Sequence, residues 1–458
     1  MDERAVRDLA SSIDGIVTRP DNERFLASTR GFNLAHRHRP ALVVEPANTD
    51  DIRAAIQFAG THQLPVAVQA TGHGQFLETT NALVLLTHQL SSVTIDERAR
   101  TATIGAGTRW RRVLDAAAPY GLAPLSGSAS TVGAIGYLLG GGVGLLARKY
   151  GFGADSILHL KMIGADGVET RVGPDQHADL FWAIRGGKSN FGIVTEVTIR
   201  LVPVSEVFAA SVYLDASSID PVLRRYADWS RSAPDDVTSS FAILRPPDAP
   251  FVPEPLRNKT VAHLRWVDCS DEPSRQHLRD LDSILAAGKA VLVHAGLRKP
   301  SDLDFVHDDP TEPCPIWERT AQTQSLSSSM IDTLLEHVGA QAASPLAMAE
   351  IRQLGGALRR QPEPPNAVAG RDGSYTMLLL GIGPPELLSA VADAGQGLLD
   401  ALRPHLTGRS LMNWLGSATS PEQVRAAWEP ATAARLQAIK AEVDPTNMFR
   451  FGHPIVDE

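Results

Sequence analysis

Cysteine is nearly absent from this chain of 458 residues, which contains only Cys269 and Cys314. Neither belongs to a CxxC pair and no histidines have HExxH spacing, so the sequence does not support a metal site. Two cysteines in so long a chain are typical of a reducing compartment, and we expect a cytoplasmic protein. The opening residues MDERAVRDLA contain no apolar segment of the kind found in secretory signals.

Long hydrophobic runs and clusters of positive charge are also missing. No stretch reaches the roughly 18 apolar residues of a membrane helix, so we expect no membrane span. The formal net charge is -9, and no basic block is available to bind a phosphate backbone, which argues against a nucleic-acid partner. The 43% hydrophobic fraction is sufficient for a packed core. The length predicts two or three domains.

The N-terminal half alternates strand-like and helix-like patterns. ALVVEP reads as a buried strand, and a helix is predicted to follow it, with Asn48 or Thr49 as its cap and Ile52, Ala55, Ile56 and Ala59 on its apolar face. After Pro203 the composition shifts to proline-rich loops between strand-like runs, which indicates a second domain. Near the C-terminus, PEQVRAAWEPATAARLQAIKAEVD is predicted to form a helix.

A glycine-bearing turn follows the predicted strand at residues 68–74, VQATGHG. Glycine lets the chain turn so that consecutive backbone N–H groups form a concavity suited to phosphate. His73 would lie close to whatever molecule carries that phosphate. Taken alone, the motif equally describes a strand-end turn with a surface histidine.

A second glycine-rich segment covers residues 127–144, GSASTVGAIGYLLGGGVG. Glycine costs about 1 kcal/mol relative to alanine in a helix, so this segment is predicted to be loop with at most a short helical piece. Its apolar residues argue against a flexible linker and favour cofactor contact. The spacing is not GxGxxG and no acidic residue follows about 20 positions on, so we do not expect a Rossmann NAD site.

Four segments in this order resemble the vanillyl-alcohol-oxidase/p-cresol-methylhydroxylase (PCMH) superfamily of flavoproteins. The resemblance is to its berberine-bridge-enzyme-like branch, which includes 6-hydroxy-D-nicotine oxidase. The segments are residues 30–52, residues 68–74, residues 127–157 with 179–203, and residues 440–451 (KAEVDPTNMFRF). Any one motif alone would be weak, whereas their order and spacing are specific.

The resemblance implies an α+β fold with a PCMH-type FAD-binding domain of two α/β subdomains at residues 1–204. A substrate domain, with an antiparallel sheet covered by helices, is expected at residues 205–405. Residues 406–458 are then a berberine-bridge-like segment that returns to the FAD domain.

The resemblance also implies FAD as cofactor, covalently bound through the 8α-methyl group to one histidine, His73. The residues expected to contact FAD are Gln69, Ala70, Thr71, Gly72, His73, Gly74, Gly127, Ser128, Ala129, Thr131, Val132, Gly133, Gly136, Gly140, Gly141, Gly142, Gly192, Ile193, Val194, Asn413 and Asn447.

Three departures from the family pattern narrow these expectations. Ala129 stands where many members carry a second, cysteinyl link, so we expect one covalent bond. Thr71 lies in a Gln-Ala-Thr-Gly-His sequence where many members have Arg-Ser-Gly-Gly-His. Leu411 occupies the position of the tyrosine that often contacts substrate, so the catalytic base is not inherited. Tyr375, with Arg371 nearby, is the candidate catalytic pair, although ordinary structural roles explain both.

The expected activity is removal of a hydride from a C–H next to O or N of a small, secondary-metabolite-like substrate, with molecular oxygen reoxidising the flavin. Two alternatives stay open: a flavin-dependent oxygenase, and a non-catalytic flavin-containing protein that binds or sequesters a drug. We expect a monomer or homodimer.

Overall fold

The computed structural model describes residues 2–74, 77–271, 274–416, 418 and 420–456. Three sheets, of four, five and seven strands, form the framework, and helices pack against them. This is the α+β architecture expected from the sequence. Among the described residues, no helix combines the length and the apolar character needed to cross a membrane.

The first subdomain is a four-stranded sheet with three helices. Its strands are β1 (Ile16–Thr18), β2 (Leu42–Glu45), β3 (Val66–Gln69) and β4 (Leu83–Leu86), in the order β1-β2-β4-β3. β1 pairs antiparallel and the others pair parallel. Its helices are α1 (Glu3–Ser12), α2 (Phe25–Ser28) and α3 (Thr49–Thr61).

Helix α3 confirms the prediction made for this segment. Asn48 is its N-cap, and the side-chain oxygen accepts a hydrogen bond of 2.9 Å from the Asp51 N–H. Ile52, Ala55 and Ile56 are fully buried against β2 and β4 in one core cluster. The 3.6-residue period of the apolar positions therefore identified the correct face.

The second subdomain is a five-stranded antiparallel sheet. Its strands are β5 (Val93–Asp96), β6 (Thr101–Gly105), β7 (Ile157–Ile163), β8 (Glu169–Val172) and β9 (Ile193–Arg200), in the order β5-β6-β9-β7-β8. Its helices are α4 (Trp110–Ala117), α5 (Ala134–Leu139), α6 (Ala147–Tyr150) and α7 (Ala178–Ile184). Only α5, six residues long, interrupts the loop at residues 127–144, as the glycine content predicted.

The third sheet has seven antiparallel strands. They are β10 (Val207–Leu214), β11 (Val237–Leu244), β12 (Val261–Asp268), β13 (Ala290–Arg298), β14 (Ile316–Thr323), β15 (Met348–Gln353) and β16 (Tyr375–Ile382), in the order β13-β10-β12-β11-β15-β16-β14. Four helices pack on one face through a shared core: α8 (Ile219–Ser230), α9 (Arg275–Leu285), α10 (Ser328–Val338) and α11 (Pro385–Leu402). Because side chains alternate along a strand, the residues between those in this core point to the other face, which borders the first two subdomains.

The C-terminal segment forms two helices, α12 (Pro421–Arg425) and α13 (Pro430–Val443), where the sequence predicted one. Proline has no N–H and its ring clashes with the preceding turn, so Pro430 begins a new helix instead of extending α12. After α13 the chain returns to the first subdomain, where Met448 O accepts a hydrogen bond from the Val66 N–H at 2.8 Å.

Candidate active site

A cleft lies between the first two subdomains and the open face of the seven-stranded sheet. Most of the residues expected to contact FAD line this cleft. They are Gln69, Ala70, Thr71, Gly72, His73, Gly74, Gly127, Ser128, Ala129, Val132, Gly133, Gly136, Gly192, Ile193, Val194 and Asn413. The structure thus brings together residues from three glycine-containing segments that are far apart in the sequence.

One ring nitrogen of His73 lies within hydrogen-bond distance of another side chain, and the other has no partner among the described residues. Its Nδ1 lies 2.8 Å from Oγ1 of Thr71, and the ring stacks on Phe32 with 3.8 Å between centroids. Its Nε2 is buried and has no hydrogen-bond partner among the described residues. Burial and the nearby Arg109 lower the pKa of His73 to about 4, against the opposing effect of Asp309, so the imidazole is neutral at pH 7.

The turn that carries His73 depends on Gly72. Its φ is +75°, and a Cβ there would lie 2.5 Å from the Cα of Gly31. A side chain at this position is therefore excluded both by conformation and by the neighbouring backbone. Gly72 therefore sets the backbone path that places His73 in the lining of the cleft.

Five of the expected contact residues do not line the cleft. They are Thr131, Gly140, Gly141, Gly142 and Asn447. Gly140 instead allows close packing, because a Cβ there would lie 2.1 Å from Oδ1 of Asn413. Asn447 occupies a left-handed position after α13, with a φ of 50°. Gly140, directly after α5, thus packs against Asn413, a residue that lines the cleft.

The structure places Tyr375 outside the cleft. It is buried on the helix-covered face of β16, and its hydroxyl lies 2.8 Å from Oγ of Ser230 on α8. The alternation of β16 explains this position, because Tyr375, Met377 and Leu379 share one face. The opposite face presents Leu378 and Leu380 to the cleft.

Arg371 also lies outside the cleft. Its guanidinium forms a buried ion pair with Asp155, donates a hydrogen bond of 2.9 Å to Oδ1 of Asn366, and lies 4.8 Å from the ring centre of Phe152. These contacts join the loop before β16 to the second subdomain, which is a structural role.

A first pair of ionisable residues in the cleft was missed by the sequence reasoning. Lys188, in the turn before β9, contacts Oδ1 of Asn413 through its Nζ, and burial lowers the pKa of Lys188 to about 8. Glu318 lies on β14, and burial raises its pKa to about 7 against the opposing charge of Lys188. No local motif marks either residue, because the two come together only when the third sheet packs on the second subdomain.

A second missed group lies on β15. Glu350 and Arg352 both line the cleft, and a further arginine, Arg265, reaches Glu350 from β12 at 3.0 Å. Positions 350 and 352 are two apart on a strand, so alternation places them on the same face. A partial signal was present in the sequence, because residues 349–352, Ala-Glu-Ile-Arg, alternate apolar and polar side chains.

The residues of the cleft fit a covalently bound flavin. A turn built on glycine offers backbone to a pyrophosphate, and a neutral imidazole presents an unpartnered Nε2 to the same space. Ala129 contributes no thiol, and neither Cys269 nor Cys314 lines the cleft. The described residues that line the cleft thus include no cysteine for a second covalent link. They contain no cluster of potential metal ligands.

Two family models match the chain. An FAD binding domain matches residues 40–173, and a "berberine and berberine like" segment matches residues 417–456. The first match covers both glycine segments and His73. The second covers α12, α13 and the tail that returns to the first subdomain.

Individual relatives and a solved structure agree with these models. (R)-6-hydroxynicotine oxidase of Paenarthrobacter nicotinovorans is 27% identical over 98% of both chains. An FAD-linked oxidoreductase of Dictyostelium discoideum is 31% identical over 52% of this chain, which spans about half (53%) of that relative's length. Glucooligosaccharide oxidase from Acremonium strictum, a protein with 6-S-cysteinyl, 8α-N1-histidyl FAD, superimposes with a TM-score of 0.82 over 99% of this chain and 100% of its own, at 18% identity.

The fold, the cleft and the two matched segments agree with one another. This chain contains a matched FAD binding domain and a matched berberine-like segment, and its fold is that of 6-hydroxy-D-nicotine oxidase from Arthrobacter nicotinovorans, with a TM-score of 0.83 over 97% of this chain.

Proposed function

We propose that the protein is an oxidase whose FAD is bonded once, to Nε2 of His73, and which oxidises a C–H next to O or N of a small organic substrate. The unpartnered Nε2 atom in the cleft carries this proposal. In the tautomer whose Nδ1–H donates to Thr71, Nε2 keeps its lone pair and has no partner among the described residues. The low pKa of His73 keeps that lone pair free of a proton at neutral pH.

The cofactor would be held mainly by backbone. The turn at Gly72 and Gly74 and the loop at Gly133 and Gly136 line the same cleft and are neighbours there, since the Gly133 N–H donates to Oγ1 of Thr71 at 3.4 Å. Asn413 is fixed there by donating a hydrogen bond of 2.8 Å to Tyr137 O. FAD supplies the hydride-accepting chemistry, with molecular oxygen as the final acceptor.

Glu318 is the residue best suited to act as the base. With a pKa of about 7, a fraction of its side chains is ionised at neutral pH and can accept the proton that the substrate OH or NH loses. Lys188 faces the same space and its charge favours the ionised carboxylate. Glu318 thus replaces Tyr375 as the proposed base.

Apolar side chains on the sheet supply the wall for the substrate. Met348, Leu378, Leu380 and Trp414 line the cleft beside Glu318. Such a surface suits a compact organic molecule with a hydrocarbon or aromatic body. We therefore propose a small, secondary-metabolite-like substrate.

Anaerobic mixing tests the oxidase activity. A panel of aromatic alcohols, amines and phenols should contain compounds that bleach the absorbance of the oxidised flavin. Readmitted oxygen should restore the absorbance with one peroxide formed per turnover. Absence of bleaching across the panel would favour a non-catalytic binding protein. Label from isotopic oxygen in the organic product would favour an oxygenase.

We also propose that the protein is cytoplasmic and acts as a monomer or homodimer. The free state of both cysteines agrees with a reducing compartment. Fractionation of the native organism and sedimentation of the purified protein test the two parts of this proposal separately.

A further inference from the structure

A buried group of charged residues lies on the cleft side of the seven-stranded sheet. We call it the arginine cluster: Arg265, His307, Glu350 and Arg352, each no more than 5% exposed. Glu350 is its centre. Arg265 lies 3.0 Å from the carboxylate, Arg352 lies 3.1 Å from it, and Nε2 of His307 lies 3.4 Å from it.

The cluster carries one uncompensated positive charge. Burial and the two arginines lower the pKa of His307 to about 4, so it is neutral at pH 7. Burial alone would raise the pKa of Glu350, but Arg352 and Arg265 hold it well below its usual value, so it is ionised. Two guanidinium groups therefore face one carboxylate in a place with little access to water.

The guanidinium of Arg352 is held in one orientation. Its Nε and Nη2 donate to Glu350 at 3.2 and 3.1 Å, and Nη2 lies 2.8 Å from Nε2 of His307. The ring of Trp414 lies against it, with 4.7 Å from Cζ to the ring centre. Its Nη1 is buried and has no hydrogen-bond partner among the described residues.

Neighbouring hydroxyl groups are unpartnered as well. Ser240 and Thr376 are the cross-strand partners of Arg352 on β11 and β16, and the hydroxyl of each is buried without a partner among the residues described. The same holds for the hydroxyl of Tyr137, which lines the cleft. Several buried donors on and beside this face of the sheet thus have no acceptor among the described residues, whereas buried polar groups are normally paired.

We propose that the arginine cluster binds an anionic group of the substrate, a carboxylate, through Nη1 of Arg352. The inference rests on the proposed function in calling the ligand a substrate. A carboxylate supplies the acceptor that Nη1 lacks and compensates the extra positive charge of the cluster. Trp414 and Leu378 border the same part of the cleft and suit an aromatic or aliphatic body attached to it.

The opposite assignment, a cationic amine bound by Glu350, fits the contacts less well. Glu350 already has Arg265, Arg352 and His307 around its two oxygens. An ammonium group would add positive charge to a cluster that already has an excess. Glu318 and Asp309 supply negative charge elsewhere in the cleft, apart from these contacts.

Binding of three probes of matched shape tests the proposal: benzoate, benzamide and benzylamine, titrated at pH 7 into the flavin-loaded protein and followed by the perturbation of flavin absorbance. We expect benzoate to bind about 10- to 100-fold more tightly than benzamide, the range of a charge-assisted hydrogen bond. Arg352→Met should remove this preference. The control Arg171→Met, which removes an exposed arginine on β8, should retain it.

A second variant, Glu350→Gln, covers the case in which Arg352→Met fails to fold. It keeps the shape of the side chain and removes one negative charge, so that the cluster becomes more positive. It should bind benzoate more tightly than the wild type does. Equal affinities for benzoate and benzamide in the wild type, or preference for benzylamine, would overturn the proposal. The titration needs no turnover, so a protein without oxidase activity can still bind benzoate, and an active oxidase can fail this test.

Discussion

Nδ1 of His73 and Oγ1 of Thr71 lie 2.8 Å apart, and this contact leaves Nε2 as the ring nitrogen without a hydrogen-bond partner among the described residues. Thr71 stands in a Gln-Ala-Thr-Gly-His sequence where many members of the family have Arg-Ser-Gly-Gly-His. Its hydroxyl orients the imidazole, and we propose that this orientation selects the atom that carries the flavin.

Thr71→Val should lower the rate of covalent flavin attachment about fivefold, because the imidazole loses a hydrogen bond that is worth about 1 kcal/mol. Thr71→Ser keeps the hydroxyl and should behave like the wild type. The measurement is the time course of acid-precipitable flavin after apoprotein is mixed with FAD. NMR of the flavinyl peptide should identify Nε2 as the linked atom, and linkage through Nδ1 would contradict this account.

Glu318→Gln should slow anaerobic flavin reduction by about 100- to 10,000-fold, the usual contribution of a general base. In the wild type, the reduction rate should rise with pH through about 7, because Glu318 must lose its proton before it can accept one. In the Glu318→Gln variant, the reduction rate should not rise with pH in this range. Stopped-flow absorbance from pH 5.5 to 9 measures both effects.

Glu169→Gln, at an exposed position on β8, serves as the matched control for Glu318→Gln. It should leave both the flavin reduction rate and its rise with pH unchanged. A Glu318→Gln variant that retains the wild-type rate and pH profile would eliminate Glu318 as the base.

Lys440→Met should lower the free energy of unfolding by about 3–5 kcal/mol, because it leaves a buried carboxylate without its partner. Nζ of Lys440 contacts Asp444 and donates to the carbonyls of Asn190 and Phe449 at 2.8 and 3.0 Å. Asp444 in turn accepts from the N–H groups that follow α13. This pair therefore fixes the C-terminal segment onto the second subdomain.

Urea unfolding followed by circular dichroism measures that loss. Lys289→Met, at an exposed position just before β13, is the control and should change stability by no more than about 0.5 kcal/mol. Equal stability of the two variants would show that the Lys440–Asp444 pair contributes little.

Local patterns allowed much of the FAD-binding half to be predicted. The cap at Asn48 and the face of α3 depend on neighbouring residues only. The turn at Gly72 also has a local signal, although the close approach of Gly31 adds a second, distant requirement for glycine. Register and distant packing were harder to infer. Tyr375 was expected at the site, yet β16 turns it toward α8.

The ionisable residues of the cleft show the same limit. Lys188, Glu318 and Arg352 come from three separate parts of the chain and meet only through the packing of two sheets. The small size of Gly140 makes room for Asn413, while its expected contact with the cofactor stays a prediction. Glycine content thus predicted close packing without indicating which molecule or side chain fills the space.

The covalent link at His73 is the central claim, and acid precipitation of the purified protein tests it most directly. The wild-type pellet should remain yellow, and His73→Ala should release FAD into the supernatant. His88→Ala, which changes a half-exposed histidine whose Nε2 lies 3.4 Å from Oε2 of Glu45, should leave the pellet yellow. A colourless wild-type pellet with free FAD in the supernatant would contradict the covalent link.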